Sequence, residues 1–497
     1  MKGFDKDKIY ILYQDAFKEG LNFVYTNYKA YKPDPWDNKF HNNVLKIEKH
    51  YHTGITSSST SAQKPVNYSH YLKENGEFLQ FHSWKKLREY ILTSEPFLKH
   101  FQIGKYSPYL NETRQKWEES LTIEYKIAQF IDHYIHKFRS KIFNEKKFKL
   151  LFDNWFNSIN RKKLSYEIWV PIIYTSFEIN SFNISDTICI KRISEDLQIS
   201  RQLFIQSDIS LKGAKELLIS SCSHAIVISG NHFNDISNNA SIYQSYNKLL
   251  DNDKFNLEMN NIIGSIRIVT GINIGYYQVF AKPVDWSIDW TAKYESVMTI
   301  YGDSYPPEYE NYHWNKKPDS VSKRQLNKIK KVFKSVSINS NKKLTISIQK
   351  FNSVITRKKS DDIIFDIAVA LESILSHDSK SETTFRLSTR GSYICILRKF
   401  DDYNPYEIKL LLTKLYDFRS AVAHGKGRKV IEKSENIDIK RKKVNLLDFG
   451  ISFLRHCIEF LIDNKDYNDL NKLDEKILKD TYSNLKMQKR NKKFVQI

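Results

Sequence analysis

Cysteine is scarce in this chain: Cys189, Cys222, Cys395 and Cys457 are its only four in 497 residues, and no two form a CxxC pair. That excludes a disulfide-stapled scaffold and a cysteine zinc site, and it fits a reducing, intracellular setting. Long hydrophobic runs are missing as well. No uncharged apolar stretch approaches the ~20 residues of a membrane span, and the N-terminal MKGFDKDKIYILYQD scatters charges through its one apolar stretch, unlike a signal peptide. The expectation is a soluble cytoplasmic protein with no membrane partner. Glycine-rich phosphate loops are lacking too: Gly264, Gly271 and Gly275 match neither a Walker nor a dinucleotide-binding spacing.

Aromatic residues, by contrast, are abundant, with 30 Tyr, 30 Phe and 8 Trp. Disordered chains lack them, so the chain reads as folded, and its length suits about two to four domains. The formal net charge is +21. A polyanionic partner is the simplest use for that excess, RNA or DNA foremost; the alternative is a diffuse positive surface. Only 17 of the 78 basic residues are Arg. Lys suits non-specific phosphate attraction, whereas Arg suits bidentate recognition.

The pattern along the chain predicts an α+β multidomain protein. Residues 1–160 read as mostly helical, interrupted by the small, polar stretch Thr53–Pro65. Trp117, Leu121, Tyr125, Ala128 and Ile131 have helical spacing. His133 and His136 follow three apart, a pair that reads as a solvated helix face because no third ligand accompanies it. Residues 161–305 carry short strand signals in IWVPIIYTSFEI, NISDTICIKRIS, AIVISG and SIRIVTGINIG, predicting a strand-containing sensor or regulatory domain. Residues 306–320 are a Pro-containing linker, and 321–497 form a helical domain ending in a basic tail, MQKRNKKFVQI.

Four amphipathic helices stand out in that last domain and predict a bundle. The first, from Asp361 to about Leu375, carries Ile364, Ile367, Ala368, Leu371 and Leu375 on one stripe, with Ser360 as its predicted N-cap. The second spans about Thr384–Phe400, with Arg386 and Arg390 on one face. The third, Pro405–His424, opens with proline and closes on Gly425. The fourth is Val444–Ile462. At the end of the third helix Arg419 and His424 form an R-x4-H pattern. Among 17 Arg and 14 His, about half a match is expected by chance, so the pair alone carries little.

Its surroundings carry more. Leu371-Glu372-Ser373-Ile374-Leu375, then Arg386 and Arg390, then LYDFRSAVAHG from Leu415 to Gly425, follow one another in order. Together they resemble the Apea-like branch of the HEPN superfamily, over about the last third of the chain. The stretch NISDTICIKRISEDLQ is more loosely similar to the regulatory region that often precedes such a domain. The resemblance implies an all-α HEPN bundle and endoribonuclease activity without a metal or other cofactor. It also implies a homodimer in which two R-x4-H motifs face one another. Cleavage would use the RNA's own 2′-OH, leaving a 2′,3′-cyclic phosphate, so DNA would be spared. On that reading His424 is the general acid/base and Arg419 the phosphate clamp. Five residues place these side chains about 140° apart around a helix, which is why a second copy is needed. The helix C-terminus favours a protonated His424, while a nearby guanidinium opposes it.

Supporting positions are Ser420, Asp417 and Tyr416. Ser420 bonds either the phosphate or the preceding turn. Asp417 is expected to orient Arg386 or Arg390; alternatively Glu372, Arg386 and Arg390 form a structural ion-pair network between helices. His456 and His377 read as ordinary residues. In the loop GKGRKVIEKSENIDIKRKKV, residues Lys426, Arg428 and Lys429, with Lys440 to Lys443, would grip RNA by its backbone. Such proteins act in anti-phage defence or as growth-arresting toxins, cutting host or phage RNA, tRNA included, after a phage- or host-derived trigger. A different reading is a non-catalytic, nucleic-acid-binding dimerisation scaffold. A third, a nucleotide-modified partner of a nucleotidyltransferase, is disfavoured by the chain's length.

Overall fold

On the first helix, α1 (Lys6–Asn27), Ile9, Tyr13, Ala16, Phe17, Leu21 and Val24 recur at three- and four-residue steps, and all are buried. Asp5 caps it by accepting from the Lys8 N–H at 3.0 Å. The computed structural model describes residues 5–28, 66–75, 80–93, 112–161, 163–206, 218–219, 221–233, 253–287, 289–311, 318–338, 341–376, 383–425, 435–439 and 442–494. Fourteen helices among the described residues and a mid-chain sheet make it a mixed α+β protein of two units. The predicted loop Thr53–Pro65 lies outside the described residues.

The first unit comprises residues 1–252, 276–303 and 312–318. Its helices are α1, α2 (Tyr68–Asn75), α3 (His82–Leu92), α4 (Glu112–Phe138), α5 (Glu145–Asn160) and α6 (Glu195–Gln206). The core between them is aromatic, built on Tyr13, Phe17, Trp84, Phe130, Phe148 and Trp155. Rings meet edge to face, as Phe17 and Phe130 do at 87°. The Trp84 Nε1–H donates to the Ala16 carbonyl at 2.7 Å, so the one polar atom of that buried side chain is satisfied.

Beside these helices lies a six-stranded sheet in the order β3-β4-β5-β1-β6-β9. Its strands are β1 (Leu164–Ile172), β3 (Ser181–Asn183), β4 (Ile188–Arg192), β5 (His224–Phe233), β6 (Tyr276–Pro283) and β9 (Met298–Ser304); β2 (Thr175–Phe177) and the hairpin β7 (Trp290–Thr291) to β8 (Tyr294–Glu295) stand apart. The central β1 pairs antiparallel with β5 and β6. It is buried along nearly its whole length, which accounts for its continuous apolar run. Pro171 cannot donate to a ladder, and the β1–β6 register slips between Trp169 and Ile172, where it sits.

The solvated face expected at His133 and His136 is corrected by the structure. The β7–β8 hairpin covers that side of α4. His133 is fully buried, with Nδ1 2.8 Å from the Ala292 carbonyl and its ring stacked on Trp290. His136 is half-buried, its Nε2 2.7 Å from the Val66 carbonyl and 3.4 Å from Asp132. Burial holds the His133 imidazole down at about 3 and that of His224 at about 4. Both are neutral in the folded chain above those values, while the unfolded chain takes up protons below about 6.5. Stability is therefore lost as pH falls through that window, by up to about 1.4 kcal/mol per pH unit for each group. Glu124 opposes them, since burial raises its carboxyl to about 7. Melting curves from pH 7.5 to 5 should fall with acidification, and His133→Gln should flatten the dependence; an unchanged slope would show that His133 does not contribute.

The second unit comprises residues 253–275, 304–311 and 319–497. It takes α7 (Asp253–Thr270) from inside the stretch that reads in sequence as strand-bearing. SIRIVTGINIG is thus no strand: its first six residues finish a helix. A dense β-branched run has no period to separate strand from helix, and here contacts with α8 (Lys323–Ile338), α9 (Lys342–Thr356) and α13 (Leu446–Asp463) decide it. The remaining helices are α10 (Ser360–Leu375), α11 (Thr383–Leu397), α12 (Pro405–Ala423) and α14 (Leu470–Phe494). Helix α10 touches α9, α11, α12 and α13, and their apolar faces form one core around Ile367, Leu371, Leu411, Leu415, Phe453 and Leu454.

Two further expectations change, and the tail gains a definite structure. Lys359, in an extended conformation, is the N-cap of α10 and Ser360 its first helical residue, with no side-chain cap bond. Part of the basic loop after α12 is a hairpin, β10 (Asn436–Ile439) against β11 (Lys442–Asn445), which leads into the Asn445 cap of α13. The basic tail is helical through Phe494, as the end of α14.

Candidate active site

The LYDFRSAVAHG segment owes its position to both ends of α12. At the start, Asn404 Oδ1 accepts the Glu407 N–H at 2.9 Å and Glu407 Oε2 accepts the Asn404 N–H at 3.0 Å, a reciprocal cap with Pro405 in the first turn. At the finish, His424 is the C-cap and Gly425 turns the chain at φ +63°, where glycine avoids the strain of a Cβ. Ile408, Leu411, Leu412, Leu415 and Phe418 bury the opposite face.

Along the last two turns, the side chains divide into distinct environments. Tyr416 is buried, and its hydroxyl donates to Glu372 Oε1 at 3.2 Å, with the Ala368 carbonyl 3.4 Å away, which ties α12 to α10. Burial and the Glu372 carboxylate push its phenol pKa far up, partly opposed by Arg419, so Tyr416 stays a neutral donor. Arg419 is half-buried. Its guanidinium carbon lies 5.7 Å from the centre of the Phe365 ring on α10, and its Nε is buried without a hydrogen-bond partner. Among the described residues no carboxylate pairs with it. Two other arginines of this unit differ: Arg357 meets Asp366, and Arg398 meets Glu459 and Asp463. Ser420 is half-buried, and its carbonyl accepts the His424 N–H at 3.1 Å. The His424 side chain is exposed at the helix end.

The site thus holds a cation that no carboxylate among the described residues neutralises, leaning on an aromatic ring, and a solvent-facing imidazole five residues on. Such a pair can supply charge stabilisation and proton transfer.

The expected second rank is rearranged. Asp417 is exposed and pairs with Lys414 at 3.2 Å, so it orients neither Arg386 nor Arg390; its position in the helix points it to solvent. Arg390 is buried in a bidentate pair with Asp474 of α14, at 2.8 and 2.7 Å, and donates to the Leu375 carbonyl at 2.6 Å. Asp474 was not legible as a partner, because nothing in a sequence separation of 84 residues reports that α14 returns alongside α11. Glu372 serves Tyr416, and Arg386 is half-buried one turn before Arg390. His456 is buried on α13, its Nε2 3.1 Å from the Arg398 carbonyl. Phe365 was missed, since it lies off the apolar stripe of α10; that displacement is the one signal that marked it. Lys426, Arg428, Lys429 and His377 lie outside the described residues, as do Lys440 and Arg441.

No helix among the described residues is long and apolar enough to cross a membrane. No family model matches the chain, and no curated protein or solved structure matches it either.

Proposed function

We propose that the second unit is a HEPN-type endoribonuclease that cleaves RNA without a metal, with Arg419 and His424 as its catalytic pair. The observation that carries this reading is the state of Arg419: half-buried, held over Phe365 and unneutralised, on the same helix end as an exposed histidine. A guanidinium kept from carboxylates is available to a phosphate. The ordered match of α10, α11 and LYDFRSAVAHG to the Apea-like pattern supports the same reading. His424 takes the proton of the attacking 2′-OH or returns one to the leaving 5′-oxygen, and Arg419 steadies the charge on the phosphorane.

The active form is a homodimer. Leu410, Asp417 and His424 are seven residues apart and share the outer face of α12 with Tyr406. Leu410 and Tyr406 are exposed, which suits a self-complementary contact on that face, and the resemblance implies that the two R-x4-H motifs of the pair face one another. The biological setting suggested by the resemblance is anti-phage defence or toxin-like growth arrest in the cytoplasm, with tRNA among the candidate targets and a phage- or host-derived trigger.

The test is incubation of the full chain with total RNA and a single-stranded DNA control. RNA should be cut to 5′-OH ends and DNA left intact. If an Arg419→Ala/His424→Ala variant cuts as well as wild type, the site is elsewhere; RNA binding without cleavage would favour the scaffold reading. Mixing the two single variants should restore part of the activity, since a mixed dimer keeps one Arg419 and one His424 on opposite copies.

A further inference from the structure

Helix α4 ends at Phe138, and Arg139 turns the chain with φ +49°. Glycine takes that left-handed position at a helix end most cheaply, so an arginine there is held under strain. Across from it, the two-residue turn of the β7–β8 hairpin begins at Ala292, also left-handed at φ +50°, with its carbonyl bound by His133. Two of the five non-glycine residues with positive φ among the described residues therefore border one cavity of about 410 Å³. That size lies within the ~300–1,000 Å³ of small-molecule sites, and backbone strain gathers where structure serves a ligand.

The polar lining of the cavity is cationic. Arg139 is exposed and forms no ion pair among the described residues. Lys141 sends its ammonium over the rings of Tyr28 and Tyr68, at 4.3 and 5.2 Å, instead of onto a carboxylate. Lys293 is bound to Asp196 at 2.7 Å and lies close enough to Arg139 to be repelled by it. His136 contacts Asp132. Four basic groups thus face two carboxylates here, Asp132 and Asp196; Glu195 acts nearby on Tyr294. The apolar wall consists of Ile135, Ala292 and Tyr294.

We propose that this cavity binds a nucleoside phosphate, with Arg139 and Lys141 holding the phosphate oxygens and the Ile135–Ala292–Tyr294 wall taking the base. Two cations without carboxylate partners among the described residues suit an anion, and an apolar wall that includes the Tyr294 ring suits a base. This site lies in the first unit, and its occupancy is read by binding alone, whether or not the second unit cleaves RNA.

The experiment is equilibrium titration of the full chain with ATP, GTP and AMP, alongside adenosine and pyrophosphate. At least one nucleotide should bind saturably, with Kd below about 1 mM, and more tightly than either adenosine or pyrophosphate. Arg139→Gly relieves the strained backbone while deleting the guanidinium. It should melt no lower than wild type yet bind at least tenfold more weakly. Lys141→Met keeps the aliphatic stem against Tyr28 and Tyr68 and should weaken binding similarly. Absence of nucleotide binding, wild-type affinity in both variants, or adenosine or pyrophosphate binding as well as the nucleotides would each overturn the proposal.

Discussion

Replacing either Arg419 or His424 with alanine should lower RNA cleavage by at least about a hundredfold while the protein stays folded. A positioned general acid or base contributes about 10²–10⁴ in rate, and one donor aimed at developing negative charge about 10²–10³. The stability cost should be small. His424 is exposed, and a surface substitution of this kind stays within about 0.5 kcal/mol. Arg419→Ala loses the contact of its guanidinium with Phe365, worth about 0.5–1 kcal/mol. It also removes the unpartnered buried Nε, which offsets part of that loss. Melting temperatures and cleavage rates measured on the same preparations separate the two effects. A large fall in melting temperature would mean that the pair is structural, and unchanged cleavage would remove it from the chemistry.

The second large effect falls on Arg390 and Asp474, and it is asymmetric. Only 4% of the Arg390 side chain is exposed, against 42% for Asp474. Asp474→Ala strands a buried guanidinium that keeps, among the described residues, the Leu375 carbonyl as its hydrogen-bond acceptor. Losing one member of a buried pair costs about 3–5 kcal/mol; with water reaching the vacated side, about 2–3 kcal/mol is expected here. Arg390→Met removes the buried charge itself, and the Asp474 side chain is already 42% exposed, so about 1 kcal/mol is expected. Denaturant unfolding of the two variants should rank Asp474→Ala as the less stable. The opposite order would mean that the guanidinium is not desolvated. Arg390→Met should also keep its cleavage rate per folded molecule, because the structure gives Arg390 to α14 and not to a substrate; a hundredfold loss of rate would return it to the site.

Local rules were sufficient for much of the helical unit. Pro405 and Gly425 bracket α12 as their backbone preferences require. The three- and four-residue spacing of Ile364, Ile367, Leu371 and Leu375 puts them in the core. The strands around Trp169, Ile190 and Val227 could be read from their β-branched density. The order of the motif helices, and with it the candidacy of Arg419 and His424, is a property of the sequence alone.

What the sequence could not decide is every contact that depends on a distant segment returning. The β-branched run at Ser265–Thr270 has no period of its own, and became helix because α8, α9 and α13 enclose it. His133 looked solvated until a hairpin some 160 residues later covered it. Arg390 and Arg419 are indistinguishable as letters. One is neutralised by Asp474 from the last helix, and the other lies over Phe365 with no carboxylate paired to it among the described residues. Charge availability depends on which groups meet in space, and that contact, which no R-x4-H pattern reports, is what separates Arg419 from Arg390.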